Sequence, residues 1–404
     1  MPESKQIGQQ YGQVRHAIDV DALNAYIKKD VPAIAGPVDV KQFSYGQSNP
    51  TYVLFDQNQK RYVLRKKPQG ELMSATAHAI EREYRILKAL SNFNKTLPAN
   101  SADAVPVPEV FCLCEDKGIV GTNFYIMEFI QGRIFADIRM LPLPKDERRQ
   151  CWFSAMRTLA ALHRLDPSRV GLADYGKDRD FYTRQMKSLG KVSSIQAKAK
   201  DRKTGQETGE VPGIDRFLQW FAANMPSDEN TLIHGDYKID NLIFHPTEPR
   251  VIGLLDWELS TRGHPLSDLA NLLQQFSLPC SNPAGINDEG EVDRARERGE
   301  LLLALGDLPR DVSPVPTKDE LIRVYCDAVA RPFPIPSWEA AESWAWFRLA
   351  VITQGIAARN AQGQASSAQA QAYGSKFPHC AKAMFQIVDK ANAGGGAPKP
   401  KPKL

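Results

Sequence analysis

The stretch LIHGDYKIDNLIFHP, residues 232–246, carries two His, two Asp, one Lys and one Asn between apolar flanks. Within it, Asn241 follows Asp236 by five positions. A second stretch, RVIGLLDWE at residues 250–258, reads as a strand of apolar residues with Asp256 at its end. Folding alone does not readily explain three oxygen-bearing side chains in this order on two short strands joined by a tight turn. The two stretches therefore indicate a functional site.

Phosphoryl transfer from a nucleotide needs a set of this kind. A carboxylate orients the alcohol, hard oxygen ligands hold magnesium, and donors hold the triphosphate. Asp236 and Asn241 have the spacing of a kinase catalytic loop, H-R-D-x-x-x-x-N, with Gly235 in place of Arg. Asp256 is placed to complete a metal site where a kinase has Asp-Phe-Gly. His234 is expected to support the loop by hydrogen bonding.

Composition and charge limit the partners. The chain of 404 residues is 42% hydrophobic and 24% charged, and its length predicts two lobes or domains. Because its formal net charge is only +4, nucleic acid is not expected as a main partner. A net charge of this size is still compatible with a local basic pocket for phosphates.

Cysteine usage and the termini predict the compartment. The six scattered cysteines are expected to be free buried thiols in a reducing compartment. The N-terminus lacks the pattern of a secretory signal, and no apolar run approaches a membrane span. We expect an intracellular, cytoplasmic protein, with a mitochondrion or peroxisome left open. The C-terminal Pro-Lys-Leu departs from the peroxisomal S-K-L signal at its first position.

The predicted elements change in type near residue 130. TYVLF and RYVLR predict a β-hairpin, and HAIEREYRILKAL has the apolar spacing of a helix. Two more strands around VPEVFCLCED and NFYIMEFI make a small sheet with a helix packed on it. Later helices are predicted at 293–305, 318–330, 338–360 and 367–391. We expect lobes at 1–128 and 129–392 and a disordered Gly/Pro/Lys-rich tail at 393–404.

HGDYKIDNLIF and LLDWELSTRGHPLSDLANL resemble the aminoglycoside phosphotransferase family, which also resembles choline kinases, and in particular the kinase-like domains fused to acyl-CoA dehydrogenases. Further matching points are YGQSNPTYVL, YVLRKKP, REYRIL and FYIMEFIQGR, in fixed order between Phe43 and Leu273. The resemblance implies an α+β, bilobal protein-kinase-like fold. Its N-terminal nucleotide-binding lobe has a small mixed β-sheet, and its larger, mainly helical C-terminal lobe is catalytic and binds the substrate.

The resemblance also implies a role for each matching residue. Asp236 becomes the catalytic base or alcohol-orienting carboxylate, and Asn241 and Asp256 become magnesium ligands. Glu83 matches the helical Glu that pairs with a nucleotide-binding basic residue. Expected nucleotide contacts are Gly46, Gln47, Ser48 and Asn49 for the phosphates, and Glu128, Phe129 and Ile130 for the adenine. ATP and Mg²⁺ are the expected cofactors.

Two departures from the family pattern leave alternatives open. YVLR places Arg65 where the family has Lys, and Lys66 is the alternative one residue further on. Strand alternation turns these two side chains to opposite faces, and we expect Arg65 to meet Glu83. Gly46 is the only glycine where G-x-G-x-x-G is usual, so a pseudokinase that binds without catalysis stays open.

Three residues are candidates on the acceptor side. Lys238 is predicted equally well as a contact of the transferred phosphate and as a solvated lysine. Trp257 is predicted as a packing residue, with a place in the pocket wall as the alternative. Arg348 lies in an apolar helix that suits an acyl chain with an anionic group, or an ordinary core. Asp268 is expected to cap a helix. We expect phosphorylation of a hydroxyl group, with a hydroxyacyl-CoA or related hydroxy acid as the candidate acceptor and an aminoglycoside or choline-like kinase as the alternative.

Overall fold

The computed structural model of the protein describes residues 11–12, 18–43, 49–68, 80–364 and 373–393. The predicted phosphate contacts Gly46, Gln47 and Ser48 lie outside the described residues, as does the tail from residue 394 onward. Contacts within the chain define two compact units. The first comprises Met1–Tyr175 and His234–Ser260, and the second comprises Gly176–Ile233 and Thr261–Leu404. The lobe boundaries at 128 and 392 stay a prediction.

The described strands and helices have the following bounds. The strands are β1 Tyr11–Gly12, β2 Asp39–Phe43, β3 Thr51–Phe55, β4 Arg61–Lys66, β5 Val110–Cys114, β6 Phe124–Glu128, β7 Thr231–Ile233, β8 Leu242–Phe244, β9 Val251–Leu254 and β10 Thr261–Gly263. The helices are α1 Val20–Asp30, α2 Ile80–Asn94, α3 Lys117–Val120, α4 Lys145–Arg164, α5 Phe181–Ala197, α6 Ile214–Asn224, α7 Leu266–Leu272, α8 Glu291–Glu297, α9 Lys318–Val329, α10 Trp338–Ala361 and α11 Phe377–Ala393.

The first unit contains a sheet with the strand order β1-β2-β3-β4-β6-β5, in which each neighbouring pair is antiparallel. The predicted hairpin is present, with β3 paired to β4. Tyr62 and Leu64 of β4 are buried in a core with α1. Val63 and Arg65 alternate with them and face a cavity on the other side of the sheet. This alternation decides which basic residue of β4 reaches the cavity.

The second unit is built around an aromatic core. Tyr182 of α5, Phe217 and Phe221 of α6, and Trp344 and Phe347 of α10 are buried together. Helix α11 packs along α10 and adds buried apolar residues to this core. Because large aromatic side chains bury much apolar surface, this cluster contributes strongly to the stability of the second unit.

The helical predictions hold best where the apolar pattern is long. Helices α9 and α10 confirm the predicted helices at 318–330 and 338–360 within one residue. The prediction at 293–305 is too long, because α8 ends before Gly299, whose φ of +89° is left-handed. The prediction at 367–391 is confirmed from Phe377 onward, and its first residues lie outside the described part of the chain.

The expected cap at Asp268 is wrong. Helix α7 begins after Pro265 and has no side-chain cap, and Asp268 is buried inside its first turn. The helix starts earlier than expected because Leu266 already packs into the core. Among the cysteines, the predicted burial is confirmed for all but Cys280, and all six are free thiols. In the described ranges, no helix has the length and apolar character that crossing a membrane requires.

Candidate active site

A cavity of about 340 Å³ lies in the first compact unit, and its wall consists of residues of that unit. It brings together most of the site residues predicted from the sequence. Those in its wall are Asn49, Arg65, Glu83, Glu128, Phe129, Ile130, Lys238, Asn241, Asp256 and Trp257. Arg348 is not among the described residues that form the wall, since it lies on α10 in the second unit. Asp236 adjoins the wall through its hydrogen bond to Asn241.

A buried histidine holds the loop after β7. His234 Nε2 lies 2.8 Å from the backbone oxygen of Leu255, and Nδ1 accepts a hydrogen bond from the Asp236 N–H at 3.2 Å. The ring is fully buried, so His234 supports the loop as expected. Gly235 has a φ of +83°, and a Cβ there would lie 2.4 Å from the Leu259 backbone oxygen. Glycine is therefore required where the kinase pattern has Arg.

Asn241 orients the Asp236 carboxylate. Its Nδ2 donates to the Asp236 backbone oxygen at 2.9 Å and to Oδ2 at 3.3 Å. Both residues are thereby held in one short loop, which contains the 3₁₀ helix Ile239–Asn241. The amide nitrogen is used inside the loop, which leaves the amide oxygen Oδ1 as the atom available to a ligand.

The β8–β9 hairpin brings Asp256 beside Asn241. Leu242 pairs with Leu254, and the Leu255 N–H donates to the Asn241 backbone oxygen at 3.0 Å. Asp256 follows directly, with a left-handed backbone of φ 67° and ψ 60°. Such a backbone costs a non-glycine residue about 1–3 kcal/mol and is concentrated at functional sites.

Arg65 links three elements at the cavity wall. Its Nη1 lies 2.9 Å from Glu83 Oε1 on α2, and its Nη2 lies 2.8 Å from Asp256 Oδ1 and 3.8 Å from Glu258 Oε2. Burial opposes the charge of Arg65, but Glu83, Tyr125 and Asp256 outweigh it and raise the guanidinium pKa. Burial raises the pKa of Glu83 to about 6, against the opposing effect of Arg65. Since three carboxylates share this cation at neutral pH, the wall is suited to a further cation.

Lys66 points away from the cavity. Its Nζ donates to the Val120 backbone oxygen at 2.7 Å, and the residue is 2% exposed. Burial lowers the pKa of this lysine. The structure thus brings Arg65 to the cavity, and the expected contact between Arg65 and Glu83 is present. The role of this pair toward a nucleotide stays a prediction.

Lys238 lies between two carboxylates. Its Nζ is 3.4 Å from Asp236 Oδ2 and 3.3 Å from Asp240 Oδ2. Burial lowers the pKa of Lys238, but Asp236 and Asp240 outweigh this and raise it. A stable cation therefore sits beside the predicted catalytic carboxylate. The sequence analysis did not select Asp240, although its place directly before Asn241 was a usable signal.

Trp257 belongs mainly to the core of the first unit. The residue is 1% exposed, and its indole Nε1 donates to the Leu254 backbone oxygen at 2.9 Å. Its ring lies against His234, with centroids 4.8 Å apart. The backbone N–H of Trp257 donates to Glu83 Oε1 at 3.3 Å. The geometry favours packing for this residue, and its predicted contact with substrate stays a prediction.

The donor set fits magnesium. Asn241 Oδ1 and the Asp256 carboxylate are hard oxygen ligands at the same end of one hairpin, and the Asp256 side chain is 34% exposed. Among the described residues, no group of three or more His, Cys, Asp or Glu side chains is arranged to hold a metal. Two protein ligands with room for water and phosphate are typical of a magnesium site.

The segment after β6 is held in place at the other end of the wall. The Glu128 N–H donates to the Glu109 backbone oxygen at 2.7 Å. The Arg61 guanidinium lies 4.1 Å from the ring centre of Phe129, and its Nη2 donates to Gln131 Oε1 at 2.8 Å. Phe129 and Ile130 follow β6 directly, and both line the cavity.

Unsatisfied polar atoms collect around this cavity. Within the described residues, Asn49 Oδ1 and Arg65 Nε in its wall are buried and lack a hydrogen-bond partner. The Glu83 carboxylate and the Tyr125 hydroxyl lie close enough to each other to interact. Because buried polar groups are normally paired, the two unpaired atoms are candidates for contact with a ligand. The sequence analysis missed Tyr125 and Glu258. The signals were the position of Tyr125 in the strand FYIME and the third acidic residue in DWE.

Comparison with known proteins agrees with this geometry. The model of the Phosphotransferase enzyme family (APH) matches residues 39–311. Mouse acyl-CoA dehydrogenase family member 10 is 38% identical over 379 residues, which cover 93% of this chain and 31% of the mouse protein. The chain thus spans less than a third of that relative's length.

Two solved structures have a similar fold. A proposed aminoglycoside phosphotransferase from Ralstonia eutropha JMP134 has a TM-score of 0.73 and 32% identity, covering 93% of this chain and 99% of that one. A thermostable mutant of aminoglycoside phosphotransferase APH(4)-Ia, in a ternary complex with AMP-PNP and hygromycin B, has a TM-score of 0.50 and 16% identity, covering 91% and 99%. The predicted α+β, protein-kinase-like fold class is confirmed, and the chain belongs to the phosphotransferase enzyme family.

Proposed function

We propose that the protein is an ATP- and Mg²⁺-dependent kinase that phosphorylates a hydroxyl group of a small molecule. The observation that carries this proposal is the bridge of Arg65 between Glu83 and Asp256 in the cavity wall. A guanidinium held in this way presents donors to phosphate oxygens beside a carboxylate that suits a metal ion. The unsatisfied buried atoms around it support a bound ligand.

Asp236 is the proposed catalytic residue. Asn241 donates to its Oδ2, and Lys238 lies 3.4 Å from the same oxygen, so the carboxylate is oriented from two sides. In the proposed transfer, Asp236 orients the acceptor alcohol and takes its proton as the alcohol oxygen bonds to the terminal phosphorus of ATP. The bond to the leaving ADP breaks in the same transfer. Lys238 is placed to offset the negative charge of the moving phosphoryl group.

Asn241 and Asp256 are the proposed ligands of magnesium. When bound, the ion neutralises charge on the phosphate oxygens. The hairpin pairing and the left-handed backbone of Asp256 hold the two side chains at one end of β8 and β9. Arg65 keeps the Asp256 carboxylate oriented through one oxygen, which leaves the other for a ligand.

The adenine is proposed to lie against the segment Glu128–Ile130. This segment lines the cavity where a purine edge could meet its backbone, and Val63 and Met127 supply an apolar wall around it. The APH(4)-Ia structure contains AMP-PNP, an ATP analogue, which supports the same nucleotide class for this chain.

A hydroxyacyl-CoA or related hydroxy acid is the proposed acceptor. Support comes from the similarity to acyl-CoA dehydrogenase family members, of which this chain matches only a part. An aminoglycoside or choline-like acceptor is the second candidate, supported by the aminoglycoside phosphotransferases and the choline kinase with similar folds. Polycationic acceptors require a strongly acidic pocket. The acidic run at residues 288–293 is instead paired with Arg294, Arg296 and Arg298 of the same segment.

A pseudokinase is the alternative from another class. Its support was the Arg at the usual Lys position and the single glycine at Gly46. The Arg at the usual Lys position is weak support for a pseudokinase, because Arg65 makes the contact with Glu83 that a phosphate-binding residue needs. Asp236, Asn241 and Asp256 are also joined by one loop and one hairpin, which favours an enzyme.

Two measurements, made one after the other, test the proposed function. Calorimetry of ATP binding, with Mg²⁺ and with EDTA, should show affinity that depends on the metal. Hydroxyacyl-CoAs, hydroxy acids, aminoglycosides and choline-like amino alcohols are then screened for acceptor-dependent ATP consumption, with Asp236→Asn as the inactive control. Metal-dependent binding without turnover on any acceptor would favour the pseudokinase, and absence of ATP binding would overturn both readings.

A further inference from the structure

Glu258 connects the segment that contains Asp256, a proposed metal ligand, to Asn49 just before β3. It lies on the 3₁₀ helix Trp257–Leu259, two residues after Asp256. Its Oε2 accepts a hydrogen bond from Asn49 Nδ2 at 3.2 Å and lies 3.8 Å from Arg65 Nη2. One carboxylate therefore contacts two residues of the proposed nucleotide site, Asn49 just before β3 and Arg65 on β4.

Asn49 is the described end of the segment expected to cover the phosphates. It is 3% exposed, and the Thr51 hydroxyl donates to its backbone oxygen at 2.9 Å. The side-chain nitrogen Nδ2 of Asn49 donates a hydrogen bond to Glu258. Its side-chain oxygen Oδ1 has no hydrogen-bond partner within the described chain. An ionised carboxylate can only accept hydrogen bonds. The atom of Asn49 that faces Glu258 is therefore the nitrogen Nδ2, and the oxygen Oδ1 points the other way.

We propose that Glu258 is a positioning residue that fixes the orientation of Asn49, so that Oδ1 and not Nδ2 is presented to the metal–phosphate group of bound ATP. An amide oxygen suits a hydrogen-bond donor, such as a water molecule on a phosphate-bound Mg²⁺ ion, rather than a bare phosphate oxygen. The cavity wall supports this reading, because Asn49, Asp256 and Asn241 all belong to it.

The positioning role of Glu258 rests on the proposed function. The following experiment distinguishes failure of the positioning role from failure of the proposed function. The affinities of Mg²⁺-ATP, Mg²⁺-ADP and adenosine are measured for the full chain by calorimetry. Glu258→Ala and Asn49→Ala should each weaken Mg²⁺-ATP binding about tenfold, the scale of one lost hydrogen bond, and should leave adenosine binding within about twofold. The double variant should be no weaker than either single variant, because both remove the same contact. Glu258→Gln, whose amide oxygen can still accept from Asn49, should keep most of the affinity.

A matched control comes from the same unit. Asn123 Nδ2 donates to Glu81 Oε1 at 2.6 Å, which is the same chemistry away from the cavity wall. Glu81→Ala should therefore leave the ratio of Mg²⁺-ATP to adenosine affinity unchanged. An unchanged ratio in both Glu258→Ala and Asn49→Ala would overturn the positioning role while leaving the proposed function intact. Equal losses for ATP and adenosine would also overturn it, since they indicate general damage to the fold. Failure of the parent chain to bind ATP would overturn the proposed function itself.

Discussion

At the scale of single residues, the Asp236 carboxylate is oriented by neutral and cationic donors of its own loop. Asn241 donates to Oδ2, and Lys238 lies 3.4 Å from the same oxygen. A carboxylate held in this way can act on an acceptor hydroxyl without touching the nucleotide.

We therefore expect Asp236→Asn to abolish turnover while leaving ATP affinity nearly unchanged. The loss in rate should be about 10²–10⁴-fold, the usual scale for a general acid–base group. Steady-state kinetics with the identified acceptor and calorimetry of ATP binding measure the two effects. Near-normal turnover in this variant would remove Asp236 from the catalytic role.

Arg65 and Lys66 are neighbours in sequence with different surroundings. Arg65 contacts Glu83 and Asp256 at the cavity, while Lys66 is buried against the Val120 backbone oxygen on the other face. The alternation of β4 is the physical reason.

Arg65→Ala should weaken Mg²⁺-ATP binding clearly, by about 1.5–3 kcal/mol for a hydrogen bond to a charged group. Lys66→Met, which keeps the length of the side chain and removes its charge, should leave ATP affinity nearly unchanged. Glu83→Ala should weaken binding as Arg65→Ala does, because Arg65 then loses its support on α2. Measured dissociation constants decide the matter, and the assignment fails if Lys66→Met is the damaging change.

At the scale of elements, two short structures deliver the functional side chains. The β8–β9 hairpin places Asn241 next to Asp256, and the turn at Gly235 places Asp236 after β7. The turn needs glycine for two reasons, a φ of +83° and the Leu259 backbone oxygen 2.4 Å from where a Cβ would lie.

Gly235→Ala should accordingly lower both stability and turnover. Gly171 is the matched control, because it also has a positive φ, of +71°, but no atom within 4 Å of an added Cβ. Gly171→Ala should cost about 1–2 kcal/mol of unfolding free energy from the backbone alone. Gly235→Ala should cost more than this, since the Leu259 backbone must also move. Urea unfolding of both variants gives the comparison, and equal costs would show that the close contact is unimportant.

At the scale of the whole chain, each compact unit is assembled from separated stretches of sequence. The chain leaves the first unit at Tyr175, forms part of the second unit over Gly176–Ile233, and returns to the first unit over His234–Ser260. All residues in the wall of the cavity belong to the first unit, so ligand binding is expected to stabilise the folded state of that unit directly.

Mg²⁺-ATP should raise the thermal stability of the intact protein, by about 2.7 kcal/mol at a ligand concentration of 100 times Kd. The metal-dependent part of this stabilisation should be lost in Asp256→Ala, because that change removes a proposed metal ligand. Differential scanning calorimetry with ATP, in Mg²⁺ and in EDTA, checks both points. The assignment of Asp256 is contradicted if Mg²⁺ still strengthens ATP binding to this variant as it does in the parent.

Short-range patterns in the sequence determined a large part of this protein. The ordered motifs between Phe43 and Leu273, through their resemblance to the aminoglycoside phosphotransferase family, predicted the family and the fold class. Strand alternation was enough to place Arg65 and Lys66 on opposite faces, and long apolar periodicity was enough for α9 and α10. These features depend on residues a few positions apart, which the period of a helix or strand relates directly.

Only the tertiary structure decided the contacts between distant segments. Packing decided the hydrogen bond between Asn49 and Glu258 and the one between Arg65 and Asp256. It also decided the burial of Asp268 and Trp257. Arg348 suits an anionic ligand by its local sequence and lies on α10 in the second unit, and its role toward a substrate stays a prediction. The physical reason is that burial and long-range hydrogen bonds depend on which surfaces meet when the chain folds, and no local period specifies that.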